Sequence, residues 1–395
     1  MTTGLRSVMR QPMRTVTIFL ALAGCAVEPP APSHPTEPAP LPPSPSARAP
    51  LPPPPPPPPQ SAPVPPSPSP PARTSAPAPR PPSPVPPRPV AIVEGIVAQN
   101  ERYVLYRPKR NETLRSLAQR FLGDEQRDWE IADFNGVTDL TPGSLIAIPV
   151  HPINPGGIAA DGYQTVPILA YHRFGEKNGK MTVTPEAFAA QLKYLADNDY
   201  RVVRLSDLAE FLDGKRSLPH RAVVITADDG YTSFYRHAFP LLEQYGFPAT
   251  MFVYSDFIGA SDALTWTQMK EMTASGLIDI ESHSKSHESL VALLPGESER
   301  NYRSRVDKEL TVGRDLLQRK LGISISFFAY PYGDTNAAVV EQANKADYRL
   351  AVTVNPGGNP FYAQPLLLRR TMIFGDHDIE AFKTRLQTFR EADVK

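Results

Sequence analysis

The strongest constraint on this chain is a block of proline. From Glu28 to about Val90 the sequence is mostly Pro, Ala and Ser, with an unbroken run from Pro52 to Pro59, and this block holds most of the chain's 48 prolines. Proline has no N–H to give a helix or a central strand, and Ala and Ser bury too little apolar surface to offset the entropy of ordering. Residues 25–90 therefore read as a disordered Pro-rich linker, biased towards extended polyproline II and able to reach beyond ~100 Å. Any folded core must lie after it.

Before the block stand Arg6, Arg10 and Arg14, the short apolar run Val16 to Leu22, and Ala23-Gly24-Cys25. A positive start, a short apolar core and small residues describe an export signal, and the run is too short to span a bilayer. Leu22-Ala23-Gly24-Cys25 resembles the bacterial lipobox. That resemblance implies a signal peptide over residues 1–24, cleavage before Cys25, and acyl chains on its sulfur that anchor the protein to a membrane. Ala26 stands where an inner-membrane retention signal carries aspartate, so the expected place is the periplasmic face of the outer membrane. Charge names no partner: Lys+Arg and Asp+Glu are 41 each, which leaves no basic field for nucleic acid.

Residues 91–150 read as a small module. Tyr103 to Tyr106 is a strand, and Leu114, Leu117, Ala118 and Phe121 are spaced for one face of a helix. A second helix carries Trp129, Ile131 and Phe134 into Asn135-Gly136, and Ser144 to Pro149 is a second strand. This strand, helix, helix, strand order, with Phe-Asn-Gly in the middle and Pro-Gly-Ser-Leu-Ile-Ala-Ile-Pro at its end, resembles a LysM domain. The resemblance implies binding of an N-acetylglucosamine-containing glycan such as peptidoglycan, in a groove formed by Asn111 to Thr113 and Gly136 to Asp139.

After a Pro/Gly-rich joint, residues 163–395 alternate strands and helices. Val166 to Tyr171 is a buried-type strand ending at His172, Ala222 to Ala227 another ending at Asp228-Asp229-Gly230, and Ile278 to Glu281 another followed by His283-Ser-Lys-Ser-His287. Repeated strand and helix predict a parallel sheet with covered faces, and about 230 residues favour closure into a TIM-like (β/α) barrel, an α/β fold. Function in such folds collects at the carboxyl ends of strands. Two imidazoles four residues apart share one face if that stretch is helical, and with Asp229 they make a three-ligand set of the kind that holds catalytic zinc.

Thr226-Ala227-Asp228-Asp229-Gly230, His283 to His287 and Phe328-Ala329-Tyr330-Pro331-Tyr332-Gly333 together resemble the polysaccharide deacetylases of the NodB-homology, carbohydrate esterase family 4 group. Pro167-Ile-Leu-Ala-Tyr-His-Arg-Phe174 is closest to its poly-N-acetylglucosamine deacetylase branch. The resemblance implies a distorted barrel and a hydrolase that removes N-acetyl groups from a cell-wall or extracellular polysaccharide. It also implies a divalent metal, zinc first, on Asp229, His283 and His287, with Asp228 as general base and a backbone N–H near Tyr332 facing the developing oxyanion. Three positions depart from the family pattern. Ala227 replaces an aromatic residue, Ala329 stands where many members carry an arginine that orients the base, and Leu367 to Gly375 lacks the late histidine that serves as acid. His172 is the expected substitute acid, with His377 second. The alternative is a catalytically impaired, deacetylase-like lipoprotein that binds peptidoglycan.

Overall fold

The computed structural model describes residues 94–177 and 179–392. The expected export signal, the expected lipid-attachment residue Cys25 and the proline block lie outside the described residues. Among those described, no helix is long and apolar enough to cross a membrane.

The small module is an antiparallel sheet, β1 (Ile96–Gln99), β2 (Tyr103–Tyr106) and β3 (Ile146–Pro149), covered by α1 (Leu114–Leu122) and α2 (Asp128–Asn135). The first strand was not foreseen; its burial is slight, so no alternation marks it. Val104 pairs with Ile148 and Tyr106 with Ile146, which puts their buried side chains against Leu117, Ala118 and Ile131. Asn135, from the Phe-Asn-Gly stretch, donates to the carbonyls of Ile131 and Ala147 and accepts from Ala147 N–H, pinning α2 to β3. In the expected glycan groove, Glu112 accepts from Tyr106 Oη and Lys109 N–H, and Thr113 caps α1.

The larger domain begins with β4 (Gly162–Tyr171), α3 (Pro185–Asp197) and α4 (Leu205–Leu212). It continues through β5 (Ala222–Ala227), α5 (Phe239–Tyr245), β6 (Ala249–Val253), α6 (Trp266–Ala274) and β7 (Ile278–Ser282). Then come α7 (Glu299–Leu321), β8 (Phe327–Ala329), α8 (Ala337–Lys345), β9 (Leu350–Val352), β10 (Thr371–Met372) and α9 (Ile379–Lys383). Strands β4, β5, β6, β7, β8 and β9 lie side by side and parallel. β10 pairs with β4, while Leu368, just before it, bridges Val352 of β9. This last segment therefore joins the two edges of the curled sheet, and the expected distorted barrel is what forms.

The two faces of the sheet carry separate cores, because successive strand residues point to opposite sides. Leu169, Tyr171, Val223, Ile225, Met251, Val253, Ile280 and Phe328 pack under the helices. Ile168, Val224, Phe252, Ala329, Val352 and Leu368 fill the barrel instead, with Leu205, Leu208 and Phe211 of α4 packed against them. Continuing the inward set past its apolar layer gives Thr226 on β5, Asp228 just past its end, and Arg370 beyond Leu368. The apolar filling thus ends in polar groups at the carboxyl edge of the strands.

Candidate active site

Asp228 and Asp229 are neighbours in sequence but take different directions. Asp228 still belongs to the sheet, its N–H donating to the Tyr171 carbonyl at 3.0 Å. Asp229 has φ +72° and Gly230 φ +79°. This left-handed pair swings the second carboxylate out of the strand line; aspartate tolerates the conformation better than most residues, and at Gly230 a Cβ would also meet Val253 at 2.9 Å.

Four of the six non-glycine residues with positive φ among those described are Asp229, Ser284, His287 and Tyr332. All four belong to the candidate site, a concentration of backbone strain of the kind functional sites hold.

The stretch His283 to His287 is not helical, which corrects the shared-helix-face expectation. Ser284 (φ +72°) and His287 (φ +63°) fold it into a turn. Glu309 of α7 holds the turn by accepting from Lys285 N–H, Ser286 N–H and Ser286 Oγ, and Ser284 Oγ accepts from His287 N–H. The imidazoles converge all the same. His283 Nε2 lies 3.5 Å and His287 Nε2 3.3 Å from Asp229 Oδ1, and ligand atoms of the three residues all fall within 4.8 Å of one another.

The donor set fits a divalent cation. His283 Nδ1 lies 2.7 Å from the Ala329 carbonyl, which can only accept, so Nδ1 carries the proton and the Nε2 lone pair faces Asp229. Burial alone would lower the affinity of His283 for a proton, but the adjacent Asp229 and Asp228 raise it above the ordinary imidazole range. Burial would likewise raise the Asp229 carboxyl, yet His283 holds it low. His287 is pushed down by burial and by His283. A cation bound among these three converging groups would compete with protons for the same ligand atoms.

Arg370 is the functional residue that sequence reasoning missed. It is fully buried, and its Nη1 and Nη2 each donate to one Asp228 oxygen at 2.7 Å. The remaining donors tie it down: Nε to the Thr353 carbonyl at 2.8 Å and Nη1 to Thr226 Oγ1 at 3.2 Å. Burial pushes the Asp228 carboxyl up, but the Arg370 and His283 charges outweigh it and keep the group well below the usual carboxylate range. The closing segment thus brings a guanidinium onto the Asp228 carboxylate, where Ala329 offers none. Two adjacent arginines inside the otherwise apolar Leu367-Leu-Arg-Arg-Thr-Met were the available signal, since in an extended segment one of them must point inward and a buried arginine requires a buried acid.

His172 follows β4 directly and is partly buried. Burial lowers its proton affinity, and the charges of Asp228 and Asp229 oppose that shift. His377 is placed elsewhere: its Nδ1 accepts from Phe374 N–H and its Nε2 lies 3.3 Å from Arg385 Nη2. Tyr332 is 60% exposed at the rim, and its ring meets His287 edge-on at 4.7 Å between centroids.

Residues 215–351 match the polysaccharide deacetylase family model. Over 192 residues the chain is 33% identical to a putative polysaccharide deacetylase of Bacillus subtilis, covering 49% of this chain and 65% of that protein. Over 283 residues it is 27% identical to a poly-β-1,6-N-acetyl-D-glucosamine N-deacetylase of Escherichia coli, covering 63% of this chain and 41% of that one. The solved structure of a Streptococcus pyogenes deacetylase, PplD, in complex with acetate is similar at a TM-score of 0.52 and 26% identity, covering 57% of this chain and 99% of that one. The chain thus spans less than two thirds of the length of these curated relatives.

Proposed function

Because this chain belongs to the polysaccharide deacetylase family, we propose that it is a metal-dependent hydrolase of N-acetyl groups on a polymer of N-acetylglucosamine, poly-N-acetylglucosamine first and peptidoglycan second. One observation carries the reading: Asp229, His283 and His287 converge as a ligand set while the adjacent Asp228 is turned away from that role by the buried Arg370 fork.

Asp229, His283 and His287 would hold the cation, zinc in the first instance. When bound, such an ion polarises an acetamide carbonyl and lowers the pKa of water. Asp228 takes the proton from the attacking water. Arg370 keeps it ionised and fixes its plane; the same charge also makes it a weaker base, so positioning rather than basicity is its strength. His172 delivers a proton to the departing amine, and the Tyr332 backbone N–H faces the oxygen that gains negative charge. Acetate leaves, and the sugar keeps a free amine.

Arg370 supports an active enzyme over the catalytically impaired alternative, since it supplies the orienting cation that Ala329 cannot. The LysM-like module and the lipid anchor at Cys25 complete the proposal of an exported envelope protein held near its glycan. The test is acetate release by the full chain from poly-β-1,6-N-acetylglucosamine and from peptidoglycan, beside an Asp228→Asn variant. Release from neither polymer, or equal release by the variant, refutes the reading.

A further inference from the structure

A second cleft lies where α2 of the small module meets the amino-terminal edge of the barrel. It encloses about 280 Å³ between Trp129, Asp133 and Phe134 on one side and Gln164, Ser217 and His220 on the other. Gln164 lies near the start of β4 and His220 precedes β5, so the cleft lies at the end of the barrel opposite to Asp228. The six residues of β5 separate the two by about 20 Å at roughly 3.3 Å each.

The walls are built and partly unsatisfied. Gln164 is only 4% exposed, and its Nε2 donates to the Pro219 carbonyl, but no donor among the described residues reaches its Oε1. Ser217, also buried, accepts from Asn154 N–H at 3.3 Å and donates its own proton to no described residue. Asp133 and His220 approach only to 3.9 Å, too far for a hydrogen bond between them. Phe134 is 40% exposed and is braced from behind by Tyr103, stacked at 5.5 Å and 14°. Ion pairs across the seam, Asp128 to Arg201 at 3.4 Å and Asp124 to Arg216 at 3.7 Å, hold the walls together.

We propose that this cleft is a non-catalytic binding site for one sugar unit of a neutral glycan chain. Aromatic faces beside a carboxylate, an amide oxygen, a hydroxyl and an imidazole match a pyranose, which presents apolar C–H faces and a girdle of hydroxyls that both donate and accept. The opposed charges of Asp133 and the arginines of the seam leave no excess for a polyanion. Separation by the length of a strand means one sugar cannot occupy both sites, so the cleft retains a long chain whose distant unit is at the carboxyl edge. The proposed function supplies only the identity of the sugar, N-acetylglucosamine.

The test separates the two readings. The full chain carrying Asp228→Asn, which cannot turn over, is titrated with an N-acetylglucosamine pentamer while the fluorescence of Trp129 is followed against the variant Trp129→Phe. Saturable quenching that disappears in Trp129→Phe and weakens at least fivefold in Asp133→Ala is expected. On otherwise unchanged protein, Asp133→Ala raises KM for the long polymer severalfold and leaves kcat/KM for a disaccharide as it was. Quenching that survives Trp129→Phe, or equal affinity in Asp133→Ala, overturns the proposal whether or not the protein releases acetate. A folded Asp133→Ala variant, checked by circular dichroism, excludes unfolding as the cause.

Discussion

Replacing Arg370 by methionine probes the site where structure and chemistry are most tightly linked. Asp228 and Arg370 are both buried and are joined by two 2.7 Å bonds. Removing one partner of such a pair costs about 3–5 kcal/mol, because the other charge is left without a counterion. Asp228 can relieve this by taking up a proton, so the same energy reappears as a rise of roughly two to four pH units in its carboxyl. Arg370→Met should therefore move the acid limb of the kcat/KM profile up by roughly two to four pH units from its wild-type place well below the usual carboxylate range, with turnover reduced and partly recovered as pH rises. Its Tm should fall by roughly 6–20 °C. Asp228→Asn with Arg370→Met should regain much of the stability and none of the activity. Arg370→Lys should behave nearly as badly as methionine, since an ammonium cannot reach both carboxylate oxygens, Thr353 and Thr226 together. The measurement is a pH–rate series with a double-mutant cycle by urea unfolding. An unmoved profile and a coupling below ~1 kcal/mol would refute the reasoning.

Other perturbations follow from the same geometry. Glu281 accepts from Ser326 and Phe327 N–H, and burial pushes its carboxyl up to about 8. A raised folded pKa adds stability that is complete below about pH 4.5 and is lost as pH rises towards 8, so wild type should lose up to on the order of 5 kcal/mol relative to Glu281→Gln over that span by urea unfolding. Equal slopes would contradict it. A Cβ at Gly313 of α7 would meet the Ser284 carbonyl at 2.8 Å, so Gly313→Ala should shift the histidine turn and weaken zinc affinity at least tenfold by competition with a chromophoric chelator, more than it lowers Tm. His172→Ala should lower kcat ~100-fold or more with little change in KM, while His377→Ala retains wild-type turnover; the reverse order would reassign the acid. Cys25→Ser should move the protein from the membrane to the soluble envelope fraction on cell fractionation, and unchanged partition would remove the anchor.

Local signals made the barrel readable. Ala222 to Ile225 is apolar on both faces because one face meets helices and the other fills the barrel, and the run stops where the polar layer begins at Thr226. Asp228-Asp229 and the two histidines are close enough in sequence to be seen as sets. Their local form was less legible: spacing of four residues fits a helix, but Glu309, more than twenty residues later, folds the segment into a turn instead. Arg370 was hidden for the same reason on a larger scale. Its partner lies 142 positions earlier, and only closure of the sheet brings the two together.

The central claim is that Asp229, His283 and His287 hold a cation needed for turnover. The direct measurement is metal content and acetate release on the same full-chain samples: as purified, after chelation, and after zinc is returned. About one metal per chain, loss of both metal and turnover on chelation, and recovery of both with zinc are predicted, with His283→Ala failing to recover either. Full acetate release by metal-free protein would contradict the account.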